Sequence, residues 1–575
     1  MRALLTVSLA LLLAAPAGAA EPIMPLSDVQ SGMRCTGLSV VRGTDIASFD
    51  VEIVDVVAGD EASAAPRIIV RVSGEAVDRT GLGPGFSGSP IVCRDREGRD
   101  AYAGAISESV GEYGGKMALA TPMEQIVAQP VDPPVGTPPA PRGARTLAAP
   151  LTLAGVSPRV GRAFSQLAAR QGQVLLDVSG RPRAAAFPVQ QLRPGAAMAA
   201  GLSSGAVNLG AIGTVSYVDG DRLWAFGHPL NAAGRRSLFL QDAYVYTVVN
   251  NPLGVDVLSS YKLAAPGHDV GVISGDGLSA VAGRLGVLPD RFPMRVIAND
   301  GDTGRVRTLR AHIADENAIG QPMGLSPLAI VGGALVGEGA TTTLGEVPAR
   351  QSGEMCAWFR LAGETKSLKF CNRYVVRSGI DEGPSLGAGG PMASDLAEAV
   401  ALIDGYEFGT LDMESVDVNL TLRRGLRQAY MLRARAPRSV RRGRTVPVRV
   451  LIQVVRGERA WRRLRVKVPR GLPPGPRRLT LRGPDTDSGD VFELALSELL
   501  FELGGEEDVT GPRSVEQLRK AVASISRYDG VTASFEPPDD EDEEGDEGRP
   551  RRARKVYRDS ELRLSGLVRA PVFVR

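Results

Sequence analysis

The sequence predicts a mainly β protein of several domains. Three observations carry that expectation. The chain has 575 residues, and at roughly 150 residues per domain this implies about three or four domains. Gly (68) and Pro (40) are abundant, which favours turns and strands over long helices. Short β-branched runs of alternating polarity recur between turn signals along most of the chain.

In chain order, residues 1–20 read as a signal peptide. Arg2 is followed by the apolar run Leu4 to Leu13, too short for a comfortable span, and by the small-x-small site Ala17-Gly18-Ala19. The expected product is exported to the periplasm or beyond, with no stable membrane insertion once the signal is removed. Residues 24–128 form a strand-rich module. Its strands are Phe49 to Val57, Ile68 to Val72, Ile91 to Cys93 and Ala101 to Ile106. Residues 129–150 are a proline-rich linker. A helix is expected over Val160 to Arg170, with loop-like sequence elsewhere in 151–200. Residues 203–316 are again strand-rich, with an Asp-Gly hairpin joining Ala211–Val218 to Leu223–Phe226 and a second hairpin joining Val296–Asn299 to Val306–Ile313. Residues 317–410 read as a connecting region with a helix from about Ser394. Alternation at Val416, Val418, Leu420 and Leu422 and at Leu464, Val466 and Val468 predicts an immunoglobulin-like β-sandwich over 414–482. Within 510–575 a capping box at Ser514 opens a helix, and a charged insert at 537–556 reads as disordered.

Lys plus Arg (67) nearly balances Asp plus Glu (65), so the chain as a whole lacks the basicity of a nucleic-acid binder. Aromatics at 5% make a poor base-stacking platform. Four cysteines allow three pairings. The close spacing of Cys356 and Cys371 favours one local bridge and leaves Cys35 with Cys93; free thiols are the alternative. No Cys-x-x-Cys occurs and no His lies near a Cys, so no metal site is expected, and no cofactor.

Two stretches carry chemistry. The first is Gly83-Pro84-Gly85-Phe86-Ser87-Gly88-Ser89-Pro90, ahead of a strand. Glycines let the backbone turn sharply enough for N–H groups to converge beside a serine; a tight structural turn is the plainer reading. The Gly-x-Ser-x-Gly elbow does not match, because position 89 is Ser and a strand follows. The second is Trp224-Ala225-Phe226-Gly227-His228-Pro229, where a strand delivers an isolated histidine. A histidine titrates near neutral pH and suits general-base work; a hydrogen-bonded structural histidine is the plainer reading.

Together these stretches resemble the SpoIVB-type serine peptidases, the stage IV sporulation protein B family. Phe49 to Val54, Thr80-Gly81 and Tyr102 to Ile106 are similar to the family's sequence around its serine. The resemblance covers roughly residues 24–128 and 203–316. It implies a chymotrypsin-like double β-barrel, with Ser87 as nucleophile, His228 as base and the Gly85 and Ser87 amides as oxyanion hole. It also implies a polypeptide substrate. Two features depart from the family. Its histidine precedes its serine, whereas here the order is reversed, as in a circular permutation. Its aspartate falls at about Ser73 here; Asp78 is near but not aligned, and Asp242 is a candidate from elsewhere. His268 and His312 match no catalytic position and read as structural. The missing acid and the large unassigned C-terminal region motivate a rival expectation, a catalytically weak or inactive envelope binding or scaffold protein with a peptidase-like fold. The arginines at 438–444 and 462–465 supply a third, an anion-binding surface, against the plainer reading of a solvated strand face.

Overall fold

The computed structural model describes residues 21–58, 66–110, 115–134, 150–170, 174–178, 187–251, 260–316, 326–377, 386–484, 511–525, 530–537 and 554–575. The signal segment, most of the proline-rich linker and most of the charged insert lie outside these residues. No helix among the described residues is long and apolar enough to cross a membrane.

Six strands, β1 (Arg34–Arg42), β2 (Asp45–Val57), β3 (Arg67–Ser73), β4 (Pro90–Arg94), β5 (Asp100–Val110) and β6 (Met117–Pro122), close a barrel in the order β1-β2-β3-β6-β5-β4. The alternation in β2 explains its orientation: Phe49, Val51 and Ile53 are buried while Asp50 and Glu52 face water. The β1–β4 seam is short, pairing only Thr36 with Val92 and Gly37 with Ile91. The Cys35–Cys93 disulfide bridges the same two strands. A short helix, α1 (Met123–Val127), follows.

The chain continues through β7 (Leu151–Ala154), α2 (Pro158–Arg170), β8 (Leu175–Val178), β9 (Ala197–Gly201), β10 (Ser203–Gly205), β11 (Asn208–Asp219), β12 (Arg222–Ala225), β13 (Gly234–Val249), β14 (Tyr261–Asp276) and β15 (Val281–Leu285). Here β12 pairs with both β15 and β11, so β12-β15-β14-β13-β9-β11 forms a second closed ring, and β7 and β8 extend the sheet beyond β11. The expected hairpin joins β11 to β12 through Gly220 at φ 63°. The two rings touch through apolar patches. One holds Val40, Ile212, Val245 and Ala264; the other holds Tyr102, Ala105, Tyr217 and Trp224.

Next come β16 (Arg291–Asp300), β17 (Val306–Ala314), α3 (Pro327–Thr343), β18 (Arg350–Leu361), β19 (Leu368–Arg377), α4 (Gly389–Asp404) and β20 (Met413–Arg424). They build a six-stranded sheet, β10-β17-β16-β20-β18-β19, whose apolar face shares one core with the helices. The remaining elements are β21 (Gln428–Arg435), β22 (Ser439–Val440), β23 (Thr445–Val454), β24 (Arg459–Lys467), β25 (Gly475–Arg482), α5 (Val515–Ser524), β26 (Val531–Glu536), β27 (Arg554–Tyr557), β28 (Arg563–Ser565) and β29 (Leu567–Val574). Two sheets, β24-β23-β21-β28 and β22-β29-β25-β26-β27, enclose a separate core as a sandwich.

Several sequence boundaries shift. The segment 203–316 divides between the second ring and the six-stranded sheet. The region 317–410 is no mere connector: it holds two packed helices and a hairpin in which Cys356 lies opposite Cys371, bridged by a disulfide. Helix α3 escaped notice because its glycines lower helix propensity; in the fold Gly332, Gly333 and Gly337 let Leu396, Phe164 and Leu386 pack close. Strand β20 belongs to the six-stranded sheet, since its alternating face packs on α3 and its edges pair with β16 and β18. The sandwich therefore begins at 428 and runs to the last strands of the chain. Helix α5 is capped as expected by Ser514, whose hydroxyl accepts from Gln517 N–H. Its apolar Leu518 and Val522 join the helical core, not the sandwich.

The disulfides close loops of 58 and 15 residues, worth about 4 and about 3 kcal/mol in the chain-entropy account. Replacing Cys35 and Cys93 by Ala is expected to lower the denaturation midpoint more than replacing Cys356 and Cys371. Paired urea melts read this directly, and equal or reversed losses would contradict it.

Candidate active site

The segment 83–90 leaves the first barrel and crosses to the second. Phe86 N–H donates to Gly83 O (3.0 Å), Ser89 N–H to Phe86 O (2.9 Å) and Gly88 N–H to Ile106 O (2.7 Å). Thr214 N–H, on β11, donates to Ser87 O (2.9 Å), and Phe226 N–H reaches Thr214 O (3.3 Å). At Gly88, φ is 94° and a Cβ would stand 2.0 Å from Thr214 O and 2.6 Å from Phe226 N. Only glycine permits this contact, which ties the serine segment to the strand end that bears the histidine.

The two serines of the motif differ. Ser89 is fully buried; its hydroxyl donates to Phe86 O (2.6 Å) and lies 2.8 Å from Ser39 Oγ. Ser87 is half-buried, and its hydroxyl makes no hydrogen bond among the described residues.

Beneath the segment lies a polar cluster that the sequence did not reveal. Lys262, on β14, is buried, and its Nζ donates to Ser39 Oγ (2.8 Å) and Thr214 Oγ1 (3.1 Å) and sits 4.6 Å from the Phe86 ring centroid. Thr214 Oγ1 donates onward to Gly85 O (2.9 Å). The Lys262 main-chain N–H donates to Pro84 O (3.0 Å). The carbonyls of Pro84 and Phe86 are thus bonded to buried donors, and no peptide here is cis. In a trans peptide the N–H points opposite to the C=O. The N–H groups of Gly85 and Ser87 are therefore turned away from the cluster, and neither has an acceptor among the described residues. Amides without an acceptor are free to donate to a bound group.

His228 follows two residues at positive φ, Phe226 (67°) and Gly227 (66°). Phe226 is a bulky residue in a region that costs about 1–3 kcal/mol and gathers at functional sites. Gly227 O is held by Thr121 Oγ1 of β6 (2.7 Å). The His228 ring is buried, and burial lowers its pKa, opposed by the Pro229 carbonyl and by the charges of Glu108 and Asp276. Nδ1 lies 2.7 Å from Pro229 O; a carbonyl only accepts, so Nδ1 carries the proton and Nε2 keeps its lone pair. No hydrogen bond joins His228 to Ser87 among the described residues.

Among the described residues no carboxylate hydrogen-bonds the ring, but one bonds the peptide that does. Leu230 N–H, in the same peptide group as Pro229 C=O, donates to Asp276 Oδ1 (2.7 Å). Asp276 also accepts from Asn231 N–H (2.9 Å) and Ala233 N–H (3.2 Å). It is buried beside Arg236, which pairs with Glu316 (2.7 Å). The Pro229 carbonyl fixes the tautomer, and Asp276 holds the peptide that presents it. The earlier candidates lie elsewhere. Asp242 bonds His268 Nδ1 (2.9 Å), Asp78 pairs with Lys116 on the surface (2.6 Å), Ser73 faces Asp50 across β2 and β3, and His312 is exposed on β17.

Comparison with family models, curated proteins and solved structures gives no match.

Burial alone brings the Lys262 pKa down from 10.5 to about 7; the groups around it are hydroxyls, carbonyls and a phenyl ring. Between about pH 7 and 10.5 the unfolded chain binds a proton that the folded chain does not, so this residue makes stability rise with pH across that window. Lys262→Met is expected to flatten the rise in urea melts taken from pH 7 to 10. An unchanged slope would mean that the lysine is not buried as described.

Proposed function

We propose that the chain is an exported serine endopeptidase of the SpoIVB type, with permuted barrels of chymotrypsin-like kind. The observation that carries the reading is that, among the described residues, the amides of Gly85 and Ser87 have no acceptor and the Ser87 hydroxyl has no hydrogen-bond partner.

In the proposed reaction His228 Nε2 takes the Ser87 proton as Oγ attacks a peptide carbonyl carbon. The carbonyl oxygen becomes an oxyanion and receives hydrogen bonds from the Gly85 and Ser87 amides. The imidazolium then gives its proton to the departing amine. Water, deprotonated by the same ring, hydrolyses the acyl-enzyme and restores Ser87. Asp276 stabilises the imidazolium through the Pro229–Leu230 peptide. Because burial lowers the His228 pKa, the ring stays in its basic form somewhat below the usual histidine value of about 6.5. Export is supported by two disulfides and by the N-terminal signal pattern.

A fluorophosphonate probe tests the assignment. Wild type is expected to label, and Ser87→Ala to lose labelling. Ser89→Ala should still label, because its hydroxyl only supports the loop. Asp276→Asn should slow labelling, by well under the roughly 10⁴-fold lost when a directly bonded triad acid is replaced. The acid limb of the labelling rate should lie below pH 6.5. Labelling that survives Ser87→Ala overturns the nucleophile. A folded wild type that neither labels nor cleaves peptides favours the scaffold alternative, an envelope-protein binder.

A further inference from the structure

The sandwich carries a surface whose charges have no internal explanation. Strands β21, β23 and β24 contain no Asp or Glu. Their inward positions are apolar and buried, among them Ala434, Val448, Val450, Leu464 and Val466. Their outward positions include the exposed cations Arg433, Arg435, Arg449, Arg463, Arg465 and Lys467. The register places Arg449 directly opposite both Arg435 and Arg463, a row of three arginines across three strands. Like charges facing one another across a sheet destabilise it. None of the six forms an ion pair among the described residues, although arginines elsewhere on the molecule do, as with Arg295–Asp417 and Arg424–Asp300. The chain as a whole carries a formal charge of only +2, so the face is a local concentration and not a general basicity.

The same face exposes apolar groups. Trp461 is 38% exposed and Leu432 45%. The guanidinium carbons of Arg435 and Arg449 stand 4.9 and 5.5 Å from the Trp461 ring centroid. Neighbouring strands are about 4.8 Å apart and alternate residues about 6.7 Å apart, so the cations form a two-dimensional array with an indole inside it. A linear polyanion follows one row of such an array. A planar field of phosphates engages all of it, and tryptophan partitions to the headgroup level of a bilayer.

We propose that the outer face of β21, β23 and β24 docks peripherally on a bilayer surface containing anionic phospholipid. The array supplies the attraction and Trp461 the interfacial anchor. This holds whether or not the barrels are catalytic.

The test is co-sedimentation of the full exported chain with vesicles of phosphatidylcholine containing about 30 mol% phosphatidylglycerol, against phosphatidylcholine alone. Binding is expected to the anionic vesicles only, and to fall steeply between about 0.05 and 0.5 M NaCl as screening shortens. Replacing Arg435, Arg449 and Arg463 by Gln should lower the partition coefficient on the order of 100-fold, since each basic residue at such a surface contributes about a fivefold factor. That variant relieves repulsion, so its thermal midpoint should not fall. Replacing Arg441 and Arg442 by Gln, outside the array, should leave binding within about twofold. Equal binding to neutral vesicles overturns the proposal, as does binding that the triple variant retains. Capture by soluble polyglutamate without vesicle binding also overturns it, in favour of a linear acidic partner.

Discussion

The candidate site depends on where four carbonyls point. Pro84 O is bonded to the Lys262 main chain, Gly85 O to Thr214 Oγ1, Phe86 O to Ser89 and Ser87 O to the Thr214 main chain. Because the peptides are trans, fixing these acceptors also fixes the N–H groups on the other side. Three of the four anchors come from the second ring, so the serine segment takes this shape only when the rings are docked. Lys262 is the costly part of the device. A lysine is almost never buried without a carboxylate. Here two hydroxyls and an aromatic face satisfy it, and its lowered pKa is the mark of that arrangement. A buried polar network satisfied in this way specifies one geometry.

The histidine side follows the same logic with different parts. Here a peptide turns its carbonyl to Nδ1 and its N–H to Asp276. The carboxylate also collects two further loop amides, so it holds the loop as well as the charge. Its distance from the ring makes its electrostatic help smaller than a direct partner's. The tautomer is nevertheless fixed by the carbonyl alone, which leaves Nε2 as the basic nitrogen.

Much of the fold was legible because alternation is a local signal. The strand Phe49 to Val57, the hairpin around Gly220 and the Ser514 cap needed only a few neighbouring residues. The disulfide pairs followed from spacing. Strand β20 alternates like a sandwich strand, and nothing local says which sheet it joins; that is decided by its parallel pairing with β16. Helix α3 was hidden because its glycines read as a loop until their packing partners are known. At the site, Ser87, Gly85 and His228 stood out by motif. Lys262, Thr214, Ser39 and Asp276 did not, because each acts through a contact far away in sequence. The only local trace of Lys262 is a cation in phase with the buried Ala264 of its strand. Asp242 was a plausible acid by composition, but it lies in the strand that faces His268.

The most direct measurement is a crystal structure of the protein after reaction with a phosphonate inhibitor. The account predicts phosphorus bonded to Ser87 Oγ and a phosphonyl oxygen about 2.7–3.1 Å from the amides of Gly85 and Ser87. It also predicts His228 Nε2 turned toward the adduct, with Lys262 still bonded to Ser39 and Thr214. An adduct on another residue, or one whose oxygen faces away from those two amides, would contradict it.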